Sequence, residues 1–512
     1  MKYYSLVIIT VFCGITLRAQ TPEEALRTAW FTQNGSARHM AVGGAMGSLG
    51  GDISANHVNP AGLGFYKTKE LMISPGFIAN NNKFQFRGTD TASNKEHFNL
   101  GTTGIVFAAN KHRKSKWTSS AFAISVNQMA NYNNRIQFNG YNNYSSFTEK
   151  YLEELTGDRA DTNAALSNYI FGSSLAFRTY LIDTLAAANG SVAGYQSLVP
   201  ISSGINQFYD AQTSGGYNEL AIGTAGNMND QLYLGASFTI PIIKYSRDLF
   251  YKEQDATNNP NNQFSYFEFR EKYNTSGTGI GMKMGLIFKP KEFFRIGFAF
   301  HTPQLIGFTD HIRASLTTNT ESYAGLKKET SDALNSGNAG IAKYNVTTPY
   351  RLIASASYVI REVEDTRLQK GFLSADLEFV NYRGARFSAA TENAGNQTLM
   401  TYYNTLNEVI KDTYKGNINL RVGGELKFST VMFRLGGAYY GSPYADKLIK
   451  ANRIIGSGGV GYRDHGIFID LSYSHIMNKD VQYPYMLNDK ANTFARQTGN
   501  RGNLMLTFGF KL

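Results

Sequence analysis

Arg295, Arg351, Arg421 and Arg434 each fall on the polar side of a stretch in which polar and apolar residues alternate, as do Asp376, Glu378 and Glu425. A guanidinium fork matches a carboxylate in geometry and charge, so this set could anchor the head group of an amphiphilic acid. The same residues pointing into a barrel could instead pair with one another and brace whatever fills the lumen, which is the commoner use of such groups. The other titratable side chains offer no reaction. Eight histidines show no pair at the spacing a zinc site uses, so no metal is expected. His39 and His57 flank a run of glycines, and a lone histidine is a poor basis for an iron site. Ser474 and His475 are neighbours on one strand and point to opposite faces, and no G-x-S-x-G occurs. Gly277, Gly279, Gly281 and Gly285 recur with period two, which makes room on one strand face, and no phosphate loop follows. The chain reads as a non-enzyme without a cofactor.

The 512 residues include 34 Phe, 32 Tyr and 50 Gly against 2 Trp and 11 Pro, a composition of strands and turns. Residues 1–19 read as a secretory signal: Lys2, an apolar run from Leu6 to Leu17, and Ala19 at the cleavage point. The only cysteine, Cys13, goes with it, so the mature chain has no thiol chemistry. The formal charge of +11 falls to about +9 once Lys2 and Arg18 are removed. Its lysines and arginines are scattered through turns and strand ends, and no nucleic-acid partner is expected. Beyond the leader no apolar run reaches the length of a membrane helix.

After Lys69 come about fourteen strand-like segments. In the last, Leu504, Leu506, Phe508, Phe510 and Leu512 alternate with Asn503, Met505, Thr507, Gly509 and Lys511. The same alternation runs through 417–428, 467–474, 232–240 and 294–301. Short turns at 111–116, 227–230, 290–292, 361–370, 429–430 and 463–466 separate long connections at 80–97, 129–216, 248–275, 311–345, 383–416, 441–453 and 477–500. Tight turns on one side and long loops on the other fit a membrane barrel with both termini on the periplasmic side. Two long loops carry helical patterns, over 165–185 and at Leu399, Tyr402, Tyr403, Leu406, Val409 and Ile410. Their apolar faces fit either a groove for a greasy ligand or a packed cap. The fold class is therefore all-β: an antiparallel transmembrane barrel of about fourteen strands over residues 69–512, with an N-terminal plug at 20–68 and partly helical outer loops.

The plug is read from GSARHMAVGGAMGSLGGDISANHVNPAGLGFY at 35–66, where Thr21 to Phe31 leads in as a short helix. Seven glycines let backbone pass close to backbone, and Asn59-Pro60 starts a turn. Asp52 and Asn59 could hold the plug shut against luminal groups or cap local turns. This stretch resembles the amino-terminal hatch of the FadL/TodX-type outer-membrane transport family. The residues that carry the likeness are Gly43, Gly44, Asp52 and, above all, Asn59, Pro60, Ala61, Gly62 and Leu63. Weaker matches lie at 294–303, 348–358 and in the closing LMLTFGFKL, so the likeness spans the mature chain. It implies a fourteen-stranded barrel whose hatch occludes the lumen and whose outer loops capture ligand. It also implies that ligand leaves sideways where the third strand kinks inward; Asn127 to Asn134 could hold that kink. The implied function is passive uptake of hydrophobic compounds such as long-chain fatty acids across the outer membrane of a Gram-negative bacterium. The expected partners are a hydrophobic small molecule (fatty acid, aromatic hydrocarbon or haem) and outer-membrane lipid, and the protein is expected to be a monomer. A haem-binding receptor, or a structural or adhesion barrel without transport, is the alternative.

Overall fold

The computed structural model describes residues 22–110, 115–187, 192–360, 370–447, 449 and 451–512. The expected leader, residues 1–19, and most of the turns at 111–116 and 361–370 lie outside the described residues. Alternating stretches after Lys69 build a closed antiparallel barrel of fourteen strands, several of them interrupted. These are β1 (Glu70–Ile73 and Pro75–Phe86), β2 (Thr89–Leu100 and Thr103–Asn110), β3 (Trp117–Asn131 and Asn134–Asn142), β4 (Ile205–Met228) and β5 (Leu232–Asp255). Next come β6 (Tyr266–Lys291), β7 (Phe294–His301 and Leu305–Asn319), β8 (Gly340–Thr347 and Arg351–Ile360), β9 (Gly371–Asn381 and Arg386–Ala389) and β10 (Gly416–Phe428). The wall ends with β11 (Val431–Tyr440), β12 (Arg453–Asp464), β13 (Ile467–Gln482) and β14 (Ala495–Lys511), and β14 closes on β1 through Ile73↔Phe508 and Gly76↔Met505.

Period-two alternation decides which way each side chain points. On β14, Leu504, Phe508 and Phe510 are exposed while Asn503, Met505 and Thr507 are buried. Leu435, Leu471, Phe298 and Leu373 belong to the same outward apolar belt, which only lipid can cover; the barrel spans a membrane. At 24 and 26 residues, β5 and β6 are far longer than the roughly ten needed to cross. Their upper parts turn mostly polar residues outward and aromatic ones, Tyr251, Phe267 and Phe269, inward against the cap, and so lack the lipid signature. For that reason 80–97, read as a long connection, is a paired hairpin that turns at Arg87 and Gly88, both at positive φ (50° and 86°). The stretch 248–275 is likewise mostly strand, and 477–500 is strand at both ends.

The N-terminal residues pack inside the barrel as three short helices, α1 (Pro22–Arg27), α2 (Ala37–Ala41) and α3 (Ala55–Val58), followed by a 3₁₀ turn at Pro60–Phe65. Ser36 caps α2 by accepting from the His39 N–H at 3.1 Å, and Asn59 caps the turn by accepting from Ala61 N–H at 3.1 Å. Plug backbone meets wall backbone at several wall glycines. Gly423 and Gly436 face Val42 and Gly43, Gly297 faces Gly47, and Gly235 faces Pro60 and Ala61; a Cβ at any of these wall positions would overlap plug main chain.

Above the wall, α4 (Glu149–Gly157), α5 (Thr162–Ser167) and α6 (Ser173–Arg178) form a cap with a hairpin of Ile182–Ala186 and Val192–Ser197. Its apolar faces turn inward: Phe147, Tyr151, Leu155 and Leu175 pack against Tyr251, Phe267 and Phe269 of the wall. The expected helix over 165–185 is thus broken into α5, α6 and the start of the hairpin. Beyond α7 (Ser331–Leu334), α8 (Gln397–Thr413) realises the pattern at Leu399–Ile410 and buries Tyr403, Leu406 and Ile410. Asn407 donates to Phe387 O (2.9 Å) and accepts from Phe387 N–H (2.7 Å), replacing a neighbouring strand at the upper edge of β9.

Gly436→Val should leave the barrel closed and lose about 1–3 kcal/mol of plug seating, since only plug backbone stands in the way. Heat-modifiable gel mobility should stay that of a folded barrel while proteolysis of residues 35–66 speeds up.

Candidate functional site

The predicted luminal charges converge on the plug. Arg421, fully buried, pairs with Glu378 at 3.0 Å and lies 3.9 Å from Asp376. Asp376 in turn accepts from the N–H groups of Met46 (3.1 Å) and Gly47 (3.0 Å). Arg351 pairs with Glu378 at 3.2 Å and donates to Ala29 O, its guanidinium over the Phe31 ring. Arg434 joins Glu425 and Asp470, both at 2.6 Å, and Glu425 also takes Arg38 of the plug at 3.4 Å. Arg295 lies over the Phe65 ring at 4.6 Å. Arg295 and Arg351 therefore touch the plug directly, Arg421 shares Asp376 with its amides, and Arg434 reaches it through Glu425.

The plug residues divide between local and long-range roles. Asp52 accepts from Ser36 Oγ (2.7 Å) and Ser54 N–H (2.9 Å), both in the plug. Asn59 also donates to Gly47 O (2.6 Å), Leu286 O (3.3 Å) and Phe298 O (3.4 Å), tying the turn to β6 and β7. Gly43 and Gly44 take φ of 66° and 81°, and Gly43 N–H donates to Ser457 Oγ. Pro60 and Ala61 lie against Gly235, Gly62 packs on Ala55, and Leu63 is buried among Ile53, Tyr66 and Met72. His57 is bonded to Glu219 and Ser125, each at 2.9 Å, whereas His39 is buried with no partner for either ring nitrogen among the described residues.

Between plug and cap lies a cavity of about 1630 Å³. Its floor is the lead-in to the plug: Leu26, Arg27, Trp30, Phe31 and Asn34. Its outer end holds Lys150 and Tyr151 of α4 with Arg247 and Tyr273. The Lys150 ammonium sits 3.7 Å from the Phe147 ring centroid, and burial pulls it down to about 8 against the pull of Glu271 and Glu154. Arg453 and Arg501 line the opposite wall.

This cavity reaches a seam in the barrel. The β2–β3 ladder stops at Thr103↔Val126, β3 shifts register between Gln128 and Ala130, and it breaks at Tyr132–Asn133. Above that point β3 still pairs with β4, but only side chains join it to the first two strands. Asn80 donates to Asn133 O (2.7 Å), Asn82 to Asn134 Oδ1 (2.8 Å) and Ser93 to Arg135 O (2.7 Å). Side chains on β1 reach β3 only because β3 has bent into the lumen in front of β2. At the end of the ladder, Asn34 of the plug donates to Leu100 O (3.0 Å) on β2 and Gln128 O (2.8 Å) on β3, and Asn127 donates back to Asn34 O (3.0 Å). One amide thus serves two carbonyls left over by the parted strands. The 127–134 stretch was legible as a candidate bend, whereas nothing in the sequence marked Asn34, Trp30 or Arg453. Arg501 falls on the inward alternation of β14 and could have been found that way.

No protein-family profile matches the chain, and no curated protein matches it. Solved structures do. A FadL homologue from Pseudomonas aeruginosa is 14% identical with a TM-score of 0.57, over 94% of this chain and 99% of that one. The toluene transporter TodX of Pseudomonas putida is 12% identical with a TM-score of 0.51, and the toluene transporter TbuX of Ralstonia pickettii is 14% identical at 0.50, each over 94% of this chain and 99% of the other. The chain has a FadL-like fold: a fourteen-stranded membrane barrel with its N-terminal region packed inside.

A proton is shared where α1 meets the wall. Tyr273 Oη lies 2.8 Å from Glu24 Oε1 and 2.7 Å from Asp310 Oδ2, and its single hydrogen serves only one of them. The other contact needs a protonated carboxyl. Burial raises Glu24 from its ordinary 4.5 to about 7, with Arg27 opposing and Asp310 adding to the rise. A raised acid contributes most when protonated, so this docking is complete below about pH 4.5 and is lost as pH rises through about 7. Release of α1, followed by Trp30 fluorescence, should therefore increase between about pH 5 and about pH 8. Glu24→Gln should flatten the profile; a variant that tracks the wild type would clear this carboxyl of the effect.

Proposed function

We propose that the protein is an outer-membrane channel of a Gram-negative bacterium, carrying hydrophobic compounds inward by diffusion. One observation carries this reading: a large cavity opens onto the single place where the β2–β3 ladder ends, with a plug residue closing the join. A ligand captured under the cap rests beside the plug and leaves sideways between β2 and β3 once Asn34 lets go. The route never crosses the plug's ion-paired floor, which agrees with Arg295, Arg351, Arg421 and Arg434 serving as braces for residues 20–68. Long-chain fatty acids and aromatic hydrocarbons are the candidate cargoes; two of the fold's relatives carry toluene. Haem fits less well, because neither His39 nor His57 lines the cavity. The barrel acts as a monomer after loss of residues 1–19.

Uptake of oleate and of toluene in a strain lacking its own channels tests this. The wild-type chain should restore uptake of at least one compound. An Asn34→Cys/Asn99→Cys pair, whose native side chains lie 3.5 Å apart, should abolish it when oxidised and restore it on reduction. Full uptake by the oxidised form would remove the seam from the route. A well-folded wild type that carries neither compound would favour an adhesion or structural barrel.

A further inference from the structure

The lipid-facing surface of the wall is uneven where β6 to β10 run side by side. Outward residues of neighbouring strands form rows, and the row Leu286, Phe298, Ala354, Leu377 sets one small side chain among large ones. In the next row down, Ala356 stands beside Ala375. The result is a groove of about 540 Å³ in the apolar belt, edged by Phe298, Leu352 and Leu377, all exposed. Its volume is within the range of small-molecule sites.

The upper lip of the groove is aromatic. Tyr350 stands between Phe300 and Phe379, with 6.3 Å from its ring centroid to each of theirs. Aromatic girdles flank the apolar band of a membrane barrel where hydrocarbon gives way to head groups. The groove therefore lies among acyl chains, and residues just above Tyr350 meet the head groups of the outer leaflet.

Two exposed arginines stand at that level, beside the place where α8 takes over from a strand. Arg383 follows Phe379 by four residues, at most about 13 Å of strand, and Arg386 begins the upper part of β9. Among the described residues neither forms an ion pair. Acids close by in the chain are already answered: Glu392 pairs with Lys343 at 3.1 Å and Glu408 with Lys411 at 3.0 Å. Backbone holds the two guanidiniums instead. Arg383 donates through Nε to Lys411 O (3.0 Å) in the last turn of α8, and Arg386 donates through Nη1 to Arg383 O (2.8 Å) and Ala385 O (3.0 Å). Both terminal nitrogens of Arg383 and Nη2 of Arg386 are left for an acceptor from outside the chain. Planar forks fixed in this way suit a phosphate, whose oxygens can take a donor from each.

We propose that the groove and the arginine pair form one site for a phosphorylated lipid of the outer leaflet, with an acyl chain in the dip at Ala354 and a phosphate bridging Arg383 and Arg386. A smooth greasy belt is solvated by any lipid and selects none. A dip of fixed shape below a fixed pair of cations selects by chain and by charge together. The site is on the outside of the wall and stands whatever the lumen carries.

Native mass spectrometry of the purified full-length protein in a detergent micelle tests this. The probes are lipid A, lipid A stripped of its phosphates, and lipid A competed with inorganic phosphate. Lipid A should bind about tenfold or more tighter than its stripped form, the scale of a charge-assisted hydrogen bond. Arg383→Gln with Arg386→Gln should erase that preference. Arg386→Gln alone should lose part of it, and is the variant to read if the double one does not fold. Ala354→Phe, which fills the dip from the lipid side and touches no charge, should weaken both lipids severalfold. Lys343→Gln, which removes a cation that Glu392 already answers, should change neither. Heat-modifiable mobility checks that each variant is a folded barrel.

Equal binding of the two lipids by the wild type would overturn the site, as would a preference that survives intact in the folded arginine variants. Unchanged binding by Ala354→Phe would remove the groove from it and overturn it too. A preference lost equally in Lys343→Gln would mean diffuse surface charge. Inorganic phosphate displacing lipid A at equal concentration would mean a site for the free anion, and either result overturns the lipid.

Discussion

A carboxylate taken out of water has to be answered by cations and donors from more than one direction, and the centre of this barrel is arranged around that demand. Glu378 meets Arg421, Arg351 and Asn419, while Asp376 meets Arg421, Ser355 and two plug amides. Removing Glu378 would take the acid from Arg351 and leave Arg421 only the more distant Asp376, and removing the plug would strand the oxygens that its N–H groups satisfy. Wall and plug are therefore one electrostatic unit. The strands around it are staves held at the register this unit needs.

Freedom increases away from that centre. Near the plug the wall is regular and its inward face is tied to the plug by ion pairs and hydrogen bonds. Higher up, β3 leaves the ladder and amide side chains take over from backbone pairing, which gives up geometric regularity while keeping most buried groups satisfied. The cap then closes the top with an aromatic core of its own. A rigid floor, an interrupted wall and an independently packed lid are the parts from which a chamber with a side door can be made.

The alternation on strands such as 417–428 and 503–512 was readable because lipid outside and polar groups inside impose opposite chemistry on successive residues. The upper halves of β1, β2, β5 and β6 escaped notice because their outer faces meet water instead of lipid, and apolar residues such as Phe84, Phe86, Tyr251 and Phe267 point inward there. Arg421 and Glu378 could be placed facing inward by counting in twos, and their pairing follows from β9 and β10 lying side by side. Asn34 could not be found that way. Its role depends on two carbonyls, at Leu100 and Gln128, brought together by a bend whose position no local pattern encodes. The helix over 165–185 failed for a related reason: apolar residues on several faces serve a cap that packs from many directions, and they mimic helical spacing without requiring one helix.

The glycine contacts between wall and plug bear on how such a protein drifts over time. At Gly423, Gly436, Gly297 and Gly235 the requirement is that nothing project from the wall, and the plug answers with main chain. A fit made from backbone is indifferent to the identity of most side chains around it. Substitutions can accumulate across the outer belt, the loops and much of the lumen without disturbing how plug and barrel nest. Shape can then outlast resemblance in sequence, which is the situation of a chain that shares its architecture with structures 14% identical to it.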